Sequence, residues 1–312
     1  MEEDTRLGYG IGLGLLAMGL FVVYVPVLVI LFVDKEFRRS TAYIIMTHIG
    51  VMDVLQLLIH MYAAIAVIAD IHIQSIIQKV IGALLTGLWF SMICFTIFLT
   101  FNRLSCILLE RWFPILTSLY FNYVLFGVCY LSFIIPFLLK LLPFCNYVFN
   151  PRTFSWSYLP TDDVLSVIMS ETSTYLLLVF VIASTITYAS IFCYIGFFSS
   201  SKLSKREFRL TIQVSMIILY FLLSFLYWTF RAPLFGITTL SDYVSCIVWV
   251  VMNGIHPIIY LIFNHRLQYS FIYMLTHRKL PGDVSSLGQA AKLTGPSPSP
   301  PVFVLTQNRM YK

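Results

Sequence analysis

The sequence predicts an all-α membrane protein: a bundle of seven transmembrane helices with its N-terminus extracellular and its C-terminus cytoplasmic. Three observations lead there. The composition does not suit water, seven apolar runs are long enough to cross a bilayer, and the basic residues are distributed unevenly between the two sides. The chain is 59% hydrophobic and only 11% charged, against about 45–50% and about 25% in soluble domains. Its 27 Phe, 19 Tyr and 5 Trp suit helices packed in lipid with amphipathic rings at the interfaces.

A helix needs about 20 apolar residues to cross the hydrocarbon. Residues 8–33 are uncharged. With no basic leader and a run too long for a signal-peptide core, they read as a retained first span. Residues 41–69 form the second and carry only Asp53, and residues 80–101 and 118–139 are again uncharged. Residues 172–201, 210–230 and 243–264 complete the set, with connections of roughly 10 residues except one of about 30 before the fifth span. An odd number of spans puts the termini on opposite sides. Of the 20 Lys and Arg, fifteen, including Lys35, Arg38, Arg39 and Arg103, fall on the side of Lys312. Arg6, Lys79, Lys140, Arg152 and Arg231 fall on the other. Short cytoplasmic loops hold the positive excess, so Met1 is expected outside.

Three regions follow: a short extracellular N-terminus (1–7), a seven-span domain (8–275) and a disordered cytoplasmic tail (276–312). The tail stretch GDVSSLGQAAKLTGPSPSPPVF is too rich in Gly, Ser and Pro to build a core. No repeat is evident, nor the parallel between halves that many transporters show. The net charge of +6 lies in short clusters beside apolar runs, which argues against nucleic acid. The six Cys are scattered singly, and neither a phosphate-cradling Gly loop nor paired catalytic carboxylates occur, so no metal, cofactor or enzymatic activity is expected. Asp162 and Asp163 read as solvated loop acids.

The polar residues inside the spans are the functional candidates. An ionised carboxylate in mid-membrane is costly and should face the bundle interior with a partner or be protonated. Asp53, Gln56 and His60 fall at i, i+3 and i+7, one polar stripe along an apolar helix. The stripe reads either as a switching element or as a structural hydrogen-bond network. Arg103 closes the third span, where its long side chain can snorkel to the interface. Pro257, within NGIHPIIYLIFNHR, removes a helical hydrogen bond and invites a hinge.

An interior acid in span two, an Arg closing span three and a Pro-x-x-Tyr closing span seven together resemble rhodopsin-like G-protein-coupled receptors. The segments YVPVLVI, STAYIIMTHIGVMDVLQLL, KREFRLTIQ and NGIHPIIYLIFNHRL are similar to nematode serpentine chemoreceptors of classes T and X, over residues 8–275. The resemblance implies that Asp53 is the family's second-span acid, Arg103 the Arg of its Asp-Arg-Tyr motif, and Pro257 and Tyr260 part of its Asn-Pro-x-x-Tyr motif. Departures are equally specific. Asn102 replaces the acid before the Arg, which removes the latch that acid forms, and Leu104 replaces the Tyr after it. His256 replaces the Asn before the Pro and is expected to hydrogen-bond or ion-pair with Asp53. Gln78 stands where a Cys usually opens span three, which puts the usual disulfide in doubt.

By the same resemblance, Val250 stands where an opsin has its Schiff-base Lys and Leu85 where amine receptors have an Asp, which argues against retinal and amines. An apolar pocket for a small molecule is expected at the outer end, with Leu84, Leu85, Leu88, Tyr227, Trp228 and Trp249 as lining candidates. The same residues also read as ordinary packing or interface aromatics. The resemblance implies a chemosensory receptor without a cofactor, in the plasma membrane and in a sensory cilium, with a small extracellular ligand and a heterotrimeric G protein as partners. The alternatives are a ligand-gated odorant channel, a small-solute transporter and a non-signalling membrane scaffold.

Overall fold

A computed structural model describes residues 3–70, 75–142, 145–159, 163–197 and 205–277. It contains eight α-helices and one β-hairpin among the described residues: α1 (Glu3–Val33), α2 (Thr41–Ala69), α3 (Ser75–Leu104), α4 (Leu119–Leu141), β1 (Asn146–Asn150), β2 (Ser155–Leu159), α5 (Val164–Phe197), α6 (Lys205–Phe235), α7 (Thr239–Phe263) and α8 (His265–His277). Seven of them, α1 to α7, are long and apolar enough to cross a membrane. The end of the bundle at which α1 begins is termed upper below, and the opposite end lower.

Local sequence explains where the helices stop. Asp70 ends α2 in the left-handed region, at φ 50°, with its N–H returned to the last turn. The Ser118 hydroxyl accepts from the Phe121 N–H to start α4, and Thr238 and Ser241 form a reciprocal capping box at α7. Below α3 the chain continues through a π-turn, Ser105–Leu109, into a short 3-10 turn, Pro114–Thr117.

α3 is the most enclosed helix and α4 the least. α3 packs against α2, α4, α5 and, more lightly, α6, while α1 closes the ring against α2 and α7. The core that results runs the length of α3, from Leu85 through Ile93 and Phe95 to Leu99, all fully buried. Large apolar side chains outside it, such as Leu15 on α1, Tyr123 and Leu131 on α4 and Ile186 on α5, face outward, as lipid-facing residues do.

Two expectations require correction. The fifth span begins earlier than expected, since α5 starts at Val164 rather than residue 172, and the connection before it holds a hairpin in which β1 and β2 pair antiparallel with Val148 opposite Ser157. Asp163 is not simply solvated. Its carboxylate accepts the Leu165 and Ser166 N–H groups at 3.0 and 3.3 Å and caps α5. The expected disordered tail lies, beyond His277, outside the described residues.

The hairpin rests on the upper end of α3. Gly82 permits the approach, since a Cβ there would sit 1.6 Å from the Tyr147 carbonyl oxygen. All six Cys are free, so no disulfide fixes this cover. Gln78 instead donates from Nε2 to the Phe149 carbonyl at 2.7 Å. Lys140, fully buried below the hairpin, places Nζ 2.8 Å from Cys145 Sγ and 3.8 Å from the centre of the Tyr158 ring. Burial pushes the Tyr147 and Tyr158 phenols upward, so both keep their protons at neutral pH.

Candidate functional site

Three groups of residues occupy successive levels of the bundle. At mid-height, Asp53 on α2 is fully buried. His256 Nδ1 on α7 lies 2.5 Å from its Oδ2, and the Tyr24 hydroxyl on α1 donates to the same oxygen at 2.6 Å. One carboxylate oxygen thus joins three helices. Asp53 Oδ1, both ring nitrogens of His60, two turns further along α2, and both polar side-chain atoms of Asn253, one turn before His256, are buried with no hydrogen-bond partner among the described residues. Unsatisfied groups of this kind cost about 1–3 kcal/mol each. The spacing around the α7 proline explains the convergence: His256 precedes Pro257 and the ring of Tyr260, one turn on, stacks beside the imidazole at 6.2 Å.

At the lower end, Arg103 does not snorkel. Its side chain is 4% exposed and its Nη1 lies 2.6 Å from Glu207 Oε2 on α6. Nη2 donates to the neighbouring Asn102 at 2.9 Å. The pair spans α3 and α6 across the interior and satisfies both terminal nitrogens of the guanidinium, while the buried Nε has no hydrogen-bond partner among the described residues. Glu207 escaped the sequence reading, although it is the only acid in KREFRLTIQ and a lone carboxylate in the first turn of a helix is favoured there. Beside it Gln213 donates to the Tyr260 carbonyl at 3.3 Å and ties α6 to α7.

The upper end holds a cavity of about 430 Å³ under the hairpin, lined by α3, α5, α6, α7 and both strands. Trp89, Trp228 and Trp249 form its inner wall, Trp89 meeting the other two edge to face at 6.0 and 5.3 Å. Trp156 and Tyr158 come from above, and hydroxyls such as Ser173 and Thr229 are interspersed. Its two formal charges cancel: Arg231 Nη1 lies 2.5 Å from Asp242 Oδ1. At its base the Trp249 indole N–H donates to Gln56 Oε1 at 3.3 Å, and Trp249 meets His60 edge to face at 5.4 Å. The polar stripe of α2 thus joins the cavity to the Asp53 cluster.

Of the six expected lining residues, Trp228 and Trp249 face this cavity, whereas Leu84, Leu85, Leu88 and Tyr227 do not. Leu85 and Leu88 are buried in the core and Leu84 packs against it. On α3 it is Thr86 and Trp89, one turn apart, that present the open face to the cavity. Tyr227 turns aside and donates its hydroxyl to the Ser241 carbonyl at 3.1 Å.

Comparison with known proteins completes the description. The sequence profile of the family described as "Serpentine type 7TM GPCR chemoreceptor Srt" matches residues 2–282. The chain belongs to this family. No curated protein sequence matches it. Among solved structures, the crystal structure of squid rhodopsin is similar at 14% identity, covering 95% of this chain and 94% of that one with a TM-score of 0.69. At that identity the likeness is one of fold. Of the two serpentine classes that the segments resembled, the Srt match favours class T. The Srt chain is therefore a multi-pass membrane protein of the GPCR type, with seven helices in a rhodopsin-like bundle and the membership of a receptor family rather than an enzyme family. Its departures from the rhodopsin-like motifs take on structural meaning. Asn102 leaves Arg103 without an adjacent acid, and Glu207 supplies one from another helix. Gln78 stands where the expected Cys is missing and anchors the hairpin by a hydrogen bond.

Proposed function

We propose that the chain is a chemosensory receptor of the plasma membrane, including that of a sensory cilium. In this reading the upper end is extracellular, the lower end cytoplasmic, a small molecule enters the upper cavity, and a heterotrimeric G protein binds below. The observation that carries the reading is the cavity itself. It is aromatic, covered by the hairpin, supplied with hydroxyls and internally neutral because Arg231 and Asp242 satisfy one another. A charged ligand would have to break that pair or stay uncompensated in an enclosed site. A neutral, largely apolar molecule with one or two hydrogen-bonding groups meets neither cost.

Activation is a population shift between two packings of the bundle. The resting packing ties α3 to α6 through Arg103 and Glu207, and α1, α2 and α7 through Asp53. A ligand displacing Trp249 acts on Gln56 and His60, hence on Asp53 and His256. The unpartnered atoms of Asp53, His60 and Asn253 give a second arrangement hydrogen bonds to recover. Pro257 and Tyr260 lie where α7 would hinge, and parting of α3 from α6 would bare Arg103 to the G protein.

A ligand screen with second-messenger readout in transfected cells tests the reading, with Trp249→Ala as the pocket control. A neutral agonist whose potency falls at least tenfold in Trp249→Ala, at unchanged surface expression, is expected. Epitope tags at both termini, stained on intact cells, test the orientation: a carboxyl tag exposed at the surface would end the receptor reading and favour an odorant channel.

A further inference from the structure

The connection between α1 and α2 reads DKEFRRS, two acids among three bases. In the fold the two signs separate. Asp34 and Glu36 both turn to Arg266 on α8: Asp34 meets Nε and Nη2 at 3.0–3.2 Å and Glu36 meets Nη1. Partial burial works against the Arg266 charge, but the hydrogen bonds to Glu36 and Asp34 outweigh it and raise the guanidinium above its ordinary range. Phe37, which follows Glu36, is buried 4.9 Å from the Tyr43 ring and fixes a short 3-10 turn, Phe37–Arg39. Lys35, Arg38 and Arg39 are left exposed, and no carboxylate among the described residues pairs with any of them.

These three cations rim a groove of about 600 Å³ whose wall is formed by Phe32 on α1 and by Ile44, Thr47 and His48 on α2. The wall lies within two membrane spans. Phe32 is 48% exposed, and the one polar ring on the wall, His48, is occupied by the Tyr130 hydroxyl of α4 at 2.7 Å. A basic rim below an apolar, hydrocarbon-facing wall is complementary to a molecule with a multiply anionic head and an acyl chain.

We infer that this groove is a binding site for a phospholipid whose headgroup carries more than one negative charge. Lys35, Arg38 and Arg39 hold the headgroup phosphates, and one acyl chain runs along Phe32 and Ile44 toward His48. With the lower end cytoplasmic, as proposed above, the lipid comes from the inner leaflet, where anionic lipids concentrate. Through the turn it is continuous with α8, because the acids that free the three bases are the ones Arg266 holds.

The test uses the purified full chain in phosphatidylcholine nanodiscs, titrated with fluorescent phosphatidylinositol bisphosphate. Both membrane faces are open there, so the result does not depend on the orientation or the receptor reading. Replacing each of Lys35, Arg38 and Arg39 by Gln should weaken binding about 5-fold, and replacing all three on the order of 100-fold. Arg111→Gln, which removes an equally exposed charge outside the groove, should change it less than twofold. Soluble inositol trisphosphate should compete on the order of 100-fold more weakly than the lipid, because it lacks the chain that the wall receives. If the triple variant is not monodisperse, Arg38→Gln alone decides. Binding unchanged in Arg38→Gln or the triple variant, an equal loss in Arg111→Gln, or equal competition by the soluble headgroup would each overturn the inference.

Discussion

Replacing Glu207 by Gln probes the lower-end closure with the least disturbance, since the amide keeps the shape and one acceptor while removing the charge. The contact is a single charge-assisted bond of 2.6 Å between a side chain 4% exposed and one 40% exposed. Unit charges at that distance would attract by about 6 kcal/mol at an effective dielectric of about 20. Water around the exposed carboxylate screens most of this, which leaves the range of a hydrogen bond to a charged group, about 1.5–3 kcal/mol. The amide retains part of that bond, so the substitution should cost the closed state about 1–2 kcal/mol, roughly a 5- to 30-fold shift in a two-state equilibrium. A receptor 1-in-100 open at rest would become roughly 5–25% open. Basal second-messenger output at matched surface expression, together with the distance between spin labels at the lower ends of α3 and α6, reads the shift. Basal output and distance distribution both unchanged would refute the assignment of Arg103–Glu207 as a closure, whatever the ligand.

Three further outcomes are expected. His256→Ala and Asp53→Asn should each lower folded receptor, by about 3–5 kcal/mol where an uncompensated charge is left, and the double variant should lose clearly less than the sum; strict additivity in thermal unfolding would show that the 2.5 Å contact carries no coupling. Gly82→Ala should unseat the hairpin, because a Cβ 1.6 Å from a carbonyl oxygen cannot be accommodated; overpacking costs about 1–3 kcal/mol or more, and faster proteolysis between β1 and β2 with a lower unfolding temperature would report it. Leu85→Ala should destabilise by about 2–5 kcal/mol, as core truncations do, and leave agonist rank order unchanged, because Leu85 is buried outside the cavity; an altered ligand preference in a well-expressed variant would contradict that placement.

The spans were legible because hydrophobic length is a one-dimensional signal, and α2 matches the expected 41–69 residue for residue. Asp53 and His256 could be brought together because the resemblance to rhodopsin-like receptors sets the residue before the span-seven proline beside the span-two acid, and the structure places them in contact. What failed needed information across the chain. Rotation about α3 separates Thr86 and Trp89 from Leu85 and Leu88, and apolar residues on all sides of a buried helix give no phase. Glu207 is a lone acid in a basic stretch of sequence, and only the docking of α6 against α3 selects it. The hairpin was missed because NYVFN and SWSYL are short, aromatic and not strictly alternating, so neither announces a strand alone. Lys140 counted as a loop charge, yet the hairpin folds over it and substitutes the Tyr158 ring and the Cys145 sulfur for water.

The way the hairpin is fastened bears on how such a receptor is made. Its seat includes a hydrogen bond from Gln78, a backbone pressed on Gly82, a lysine against a thiol, and Phe149 and Phe154 packed on α1, α2 and α7. None of these requires an oxidase or an isomerase, and none is severed by a reductant. Seating the cover therefore calls for no disulfide chemistry, and reductant is expected to leave it in place. Each fastening can open and reform in the finished protein without a covalent bond being broken.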